Sequence, residues 1–231
     1  MEDGRRMPRP MPWHYLALLG TLGISGVDPR LELPISADED DRAREHLTRR
    51  GLEDGEPYFA VNPGASFGAS KFWTVEAFAD TIRGLHRRHG ARTLVLCGPG
   101  EETMASRISA EAGNAAVDTS EEFLPLDLLK PVLRDARVLV TTDTGPRHLA
   151  TAFGTPVVVV MGPTDPRYTA CNLERTRVLR LEVECGPCHL KICPLDHRCM
   201  LGLTADQALN AVDELLLLPR PVLREPDPCQ S

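Results

Sequence analysis

From Pro57 onward, short β-branched runs alternate with amphipathic stretches of ten to fifteen residues, and this alternation limits the fold more than any other feature. The runs are Tyr58 to Val61, Thr93 to Cys97, a short one around Val117, Val138 to Thr141, Pro156 to Met161 and Arg177 to Leu181. The intervening segments carry apolar residues at helical spacing: Val75 to His89 (Phe78, Ile82, Leu85), Glu101 to Ala112, Pro125 to Arg134, Gly145 to Phe153 and Thr204 to Leu217, with Thr204 as cap. Pro131 is expected to bend or interrupt the third of these. Strands alternating with helices imply a parallel sheet covered on both faces, and the continuous run at Pro156 to Met161 suits a central strand. The fold class is therefore α/β, a Rossmann-like parallel sheet with helices on both faces.

The segment before Pro57 reads differently. Residues 1–12 are rich in Arg, Pro and Met and are expected to be poorly ordered. Trp13 to Gly23 is expected as a packed apolar helix, Pro29 to Ser36 as an edge strand by its Leu31, Leu33, Ile35 alternation, and Asp38 to Arg50 as a charged helix capped by Asp38 or Asp40. The expected division is an N-terminal extension or interdomain segment over 1–56, a binding domain over 57–220 and a tail over 221–231. Arg5, Arg6 and Arg9 precede Tyr15 to Val27 as a signal peptide's basic region would, but no clean cleavage site follows, so a packed helix is preferred. No stretch reaches the roughly 18 apolar residues of a membrane span. A net charge of −7 argues against general nucleic-acid binding.

Such sheets bind ligands beyond the carboxyl ends of their strands, which directs attention to five loops: 62–72, 98–102, 119–125, 141–148 and 161–168. In Thr141-Thr142-Asp143-Thr144-Gly145-Pro146-Arg147-His148-Leu149-Ala150 an apolar strand enters a helix through Gly-Pro. Pro146 fits a first helical turn, and Thr144 and Gly145 offer free N–H groups to an anion. A capped helix start without a ligand is the alternative. The loop from Asn62 to Trp73 holds small residues that let backbone approach a ligand, with Lys71 as a point charge or as a solvated surface lysine. In Cys97-Gly98-Pro99-Gly100-Glu101-Glu102 the acids suit either ribose hydroxyls or the helix dipole. Thr164 and Asp165, in the rigid turn Gly162-Pro163-Thr164-Asp165-Pro166, either cap or meet a sugar.

Taken in order, PGASFGASKFW, GPGEE, DTGPRHLA, GPTDP and CGPC…CP…CM resemble glycosyltransferase family 9, the heptosyltransferases of the lipopolysaccharide inner core, over about residues 57–217. The resemblance implies the C-terminal, donor-binding half of a two-domain GT-B enzyme, lacking most of its acceptor half. It implies an inverting transfer of heptose from ADP-heptose. Lys71 would hold the phosphates, Thr144 and Gly145 cradle the diphosphate, Asp143 bind heptose hydroxyls, Glu102 meet the ribose and Leu124 lie against adenine. His148 would orient the loop or face the donor; a buried histidine bonded to backbone is the alternative. Where the family often carries a basic residue and Trp-Pro, this chain has Lys71-Phe72-Trp73-Thr74. The family's general base, an Asp in the acceptor domain, has no counterpart, so no catalytic residue is named.

The implied partners are a nucleotide-sugar donor, as substrate with no required cofactor, and a lipid-linked saccharide acceptor. These imply a cytoplasmic protein with transient contact at the inner membrane surface. A non-catalytic nucleotide-sugar module, or a truncated remnant, is the second reading. A dehydrogenase is disfavoured because no GxGxxG follows the first strand. Of seven cysteines, Cys185, Cys188, Cys193 and Cys199 have spacings that suit either a structural loop or zinc, with His189 and His197 as alternates.

Overall fold

The computed structural model describes residues 8–28 and 31–219. The first seven residues, with Arg5 and Arg6, and the tail from 220 lie outside the described residues, as do Pro29 and Arg30. The elements are α1 (Met11–Thr21), α2 (Ala37–Arg49), β1 (Tyr58–Asn62), α3 (Val75–His89), β2 (Arg92–Val95), α4 (Glu102–Ala112), β3 (Ala116–Asp118), α5 (Leu126–Asp135), β4 (Leu139–Thr142), α6 (Gly145–Ala152), β5 (Val157–Val160), β6 (Thr176–Leu179), α7 (Arg198–Leu201) and α8 (Ala205–Leu216).

The six strands form one sheet in the order β3-β2-β1-β4-β5-β6, and every pairing is parallel. Alternate residues divide between two cores. Phe59, Val61, Val95, Val140, Val158 and Val160 face one side, with Phe78, Ile82 and Leu85 of α3, Ile108 of α4 and Leu209 and Val212 of α8. Tyr58, Ala60, Leu94, Leu139, Val157 and Val159 face the other, with Leu47 of α2, Val132 and Leu133 of α5 and Ala150 of α6. A sheet buried on both faces has no use for polar alternation, which is why its strands read as unbroken apolar runs.

Local chemistry sets the helix limits. Thr74 accepts from the Ala77 N–H at 3.0 Å to open α3, and Gly90 in a left-handed conformation closes it. Thr204 and Gln207 form a reciprocal capping box on α8. The cap of α2 is Ser36 with Glu39, not Asp38 or Asp40 as the charge pattern suggested: the serine hydroxyl reaches the third amide while the glutamate returns to the serine N–H. Pro131 does not interrupt α5, which runs through it to Asp135, with the proline ring buried.

Two expectations before Pro57 are corrected. Leu31 to Ser36 joins no strand ladder; Leu31, Leu33 and Ile35 are half-buried, so the alternation records an extended segment lying on the surface. Pro34 has no N–H to donate, and β3 and β6 are the sheet's edges. The apolar helix forms as α1 but is not packed into the core: it buries no residue, and Trp13, Tyr15 and Leu18 are exposed. Its apolar residues surround the axis, so no single stripe faces the sheet.

The two helices should respond differently to truncation. Phe78, fully buried and edge-on to Trp73 at 5.0 Å, should cost about 3–5 kcal/mol as Phe78→Ala. Leu18→Ala should stay within about 0.5 kcal/mol of the parent. Urea unfolding midpoints read both, and equal losses would place α1 in the core.

Candidate functional site

In this strand order the connections diverge between β1 and β4: β1 leads outward to β2 and β3, and β4 to β5 and β6. The loops that follow β1 and β4 therefore face each other across a crevice at their carboxyl ends. A cavity of about 300 Å³ lies there, lined by Ala65, Ser66, Phe67, Lys71, Asp143, Thr144, Gly145, His148 and Thr169.

The loop after β1 is shaped by close backbone approach. The Glu101 carboxylate accepts from the Gly98 N–H at 2.9 Å and occupies the space that a Cβ on Gly64 would need. Thr142 at the end of β4 donates its hydroxyl to the Gly64 carbonyl at 2.7 Å. The chain then makes a single 3-10 turn, Ala69–Lys71, which delivers the Lys71 side chain towards β4.

Lys71 Nζ donates to both the Asp143 carbonyl (2.6 Å) and Asp143 Oδ2 (2.9 Å), and lies 5.1 Å from the Phe67 ring centroid. Asp143 Oδ2 also accepts from the Thr164 hydroxyl at 2.9 Å. Asp143 Oδ1 accepts from Arg147 Nη1 at 2.8 Å, and the same nitrogen reaches Thr169 Oγ1 at 3.0 Å. Burial pushes the Asp143 carboxyl up, but the hydrogen bond and charge of Lys71, joined by Arg147, outweigh it and hold the group below the usual carboxylate range. Two cations thus meet one carboxylate, leaving a local positive excess.

Thr144, the N-cap of α6, makes no side-chain cap, and Pro146 occupies the first helical turn. Thr144 and Gly145 line the cavity beside the lysine, and the first amides of a helix have no partner within it. His148 is exposed, one turn into α6, and not the buried histidine bonded to backbone; desolvation, then the Arg147 charge, lowers its pKa and favours the neutral ring. Free amides at a helix start, a lysine and an arginine suit an anion.

The structure thus gathers Lys71, Asp143, Thr144, Gly145 and His148 around one cavity. It does not bring Glu102 and Leu124 there. Glu102 is half-buried at the start of α4, where backbone hydrogen bonds at Glu102 and Gly100 keep its carboxyl low. Leu124 is buried in the core on the α5 face. Asp165 caps the 3-10 turn Pro166–Thr169, and the Thr164 hydroxyl donates to Asp143. Arg147 was not singled out in the sequence; a basic residue in the first turn of the helix that follows Asp143 was the available signal. Thr169 carried no such signal.

The cysteine-rich segment adjoins this site. Cys185, Cys188, Cys193 and Cys199 are free thiols, and among the described residues no group of three or more His, Cys, Asp or Glu stands close enough to hold a metal ion. Among the described residues no helix is long and apolar enough to cross a membrane.

Because its native pKa lies below its unfolded value, Asp143 stabilises the fold fully above the ordinary carboxylate pKa of about 3.9, and that contribution disappears as pH falls through the native pKa. Asp143→Asn should cost about 3 kcal/mol at neutral pH, the scale for stranding one side of a buried ion pair, and should lose less stability than the parent on acidification below about pH 4. Urea titrations across that range check both statements.

Comparison with known proteins gives this arrangement a family. Residues 9–198 match the model of glycosyltransferase family 9 (heptosyltransferase). The chain is 27% identical over 169 residues to lipooligosaccharide heptosyltransferase 2 of Campylobacter jejuni, covering 71% of this chain and 53% of that protein. It superposes on the crystal structure of the family 9 glycosyltransferase from Veillonella parvula with a TM-score of 0.76 at 24% identity, covering 92% of this chain and 62% of that one. On the Escherichia coli heptosyltransferase solved with ADP it scores 0.53 at 28% identity, covering 75% and 48%. The chain spans about half the length of the curated relatives it matches. With its Rossmann-type strand order and a lysine set against the helix that follows β4, the chain belongs to glycosyltransferase family 9.

Proposed function

We propose that the cavity between β1 and β4 is the donor site of a glycosyltransferase that moves heptose from ADP-heptose to the lipopolysaccharide inner core with inversion. The observation that carries this reading is the Lys71 amine seated on Asp143, next to the opening amides of α6. One diphosphate can touch both. The ADP bound to the solved Escherichia coli relative supports the choice of nucleotide.

In this reading Lys71 and the N–H groups of Thr144 and Gly145 stabilise the charge that develops on the leaving diphosphate. Asp143, held by three donors, orients the lysine and meets the sugar hydroxyls. His148, kept neutral, faces the donor. Glu102 is assigned to the ribose and Leu124 to the adenine end, on the family pattern. An acceptor hydroxyl attacks the anomeric carbon, the bond from that carbon to the phosphate oxygen breaks, and the hydroxyl proton passes to a base that no residue of this chain is assigned to supply. Residues 57–220 form the donor-binding unit, residues 1–56 the segment that leads into it, and 221–231 the tail. The acceptor is a lipid-linked saccharide met at the cytoplasmic surface of the inner membrane, and the ADP-sugar enters as substrate without a required metal.

Calorimetry should find ADP bound more tightly than UDP. Lys71→Ala should weaken ADP by about 1.5–3 kcal/mol, the scale of a charged hydrogen bond, and unchanged affinity would remove Lys71 from the site. ADP release from ADP-heptose that depends on added core acceptor supports transfer. Tight ADP binding without release supports a donor-binding module instead.

A further inference from the structure

The 3-10 turn that carries Lys71 is tied through its middle residue to a distant part of the chain. Ser70, 3% exposed, uses every polar group it has on the cysteine-bearing segment. Its N–H donates to the Lys191 carbonyl at 3.0 Å, its hydroxyl donates to the Leu190 carbonyl at 2.5 Å, and its own carbonyl accepts from His197 Nε2 at 2.7 Å. Gly68, with φ at +148°, lets that segment approach, since a Cβ there would run into the Lys191 carbonyl oxygen. The same segment is tied to the loop after β5, because the His189 N–H donates to the Pro163 carbonyl at 2.9 Å. That loop carries Thr164, which holds Asp143. Segment 189–197 therefore anchors both the turn that aims Lys71 and the loop that braces its partner.

We propose that Ser70 is a positioning residue for the anion site: it docks the Lys71 turn on segment 189–197 and so fixes where the lysine amine meets the diphosphate. This rests on the donor-site reading above. Lysine has a long flexible stem, and its attraction for a bound anion is lost in part to the entropy of holding it. A turn fixed at three backbone or hydroxyl points reduces that cost before the nucleotide arrives.

The test is a double-mutant cycle on the full chain, with ADP titrated calorimetrically. Ser70→Ala should weaken ADP about tenfold, the scale of one well-formed hydrogen bond. In a Lys71→Ala background the same change should leave ADP affinity where Lys71→Ala alone puts it. A loss that is equal in both backgrounds, or no loss in the parent, overturns the proposal, since a purely structural serine would act regardless of the lysine. If Lys71→Ala alone leaves ADP affinity unchanged, the donor-site reading itself fails and takes the proposal with it. Should Ser70→Ala fail to fold, His197→Gly, which suits the left-handed backbone at φ 56°, removes the donor to the Ser70 carbonyl and should give the same non-additive pattern; an additive one overturns the proposal.

Discussion

The carboxylate of Asp143 is where the parts of the site meet. It sits one residue past β4 and receives a lysine from the loop after β1, an arginine from the first turn of α6 and a hydroxyl from the loop after β5. A buried carboxylate is costly unless its oxygens are satisfied, and here four hydrogen bonds from three segments, counting the lysine's second bond to the adjacent carbonyl, converge on one residue. The sheet order makes this convergence available, because β1, β4 and β5 are consecutive in space although far apart in sequence.

The site's electrostatics follow from that arrangement. One carboxylate between two permanent cations organises them without cancelling both. The excess positive charge is partly shielded from water by Phe67 and the sheet ends, where a charge interaction is stronger than on an open surface. The amides opening α6 add a partial positive charge from the same side. Side chains and backbone from opposite banks of one crevice thus add up to a single positive pocket of the kind that suits an anion.

The regular elements from Pro57 onward were readable in the residues because burial on both faces of the sheet writes itself as apolar runs, and because Thr204 is a chemical limit visible in the chain; Thr74 and Gly90 bound α3 in the same way. The segment before Pro57 was harder. Its period-two pattern at Leu31 to Ile35 marks burial of one side, which a surface-lying coil shares with a strand. The apolar helix at Met11–Thr21 announced helicity and nothing about what it packs on. For the site, loop position and residue type brought out Lys71, Asp143, Thr144 and Gly145, and the family motif added His148. Thr169 and the ties of Ser70 were not legible, since they depend on which distant loops the topology brings side by side. Glu102 came from its place after a Gly turn together with the family pattern and Leu124 from the pattern alone, and their places at the start of α4 and in the α5-side core are set by packing that neither signal encodes.

The ties between Ser70 and residues 190–197 span about half the chain in sequence. A polypeptide leaving the ribosome has produced its lysine long before it has produced the carbonyls that aim it, and long-range contacts of this kind form only after loop closure has been overcome. A nascent chain stopped after β5 would own a nearly complete sheet and a badly aimed amine. The direction of the Lys71 amine is therefore among the last features of this domain to be set, fixed only once residues 190–197 have been made.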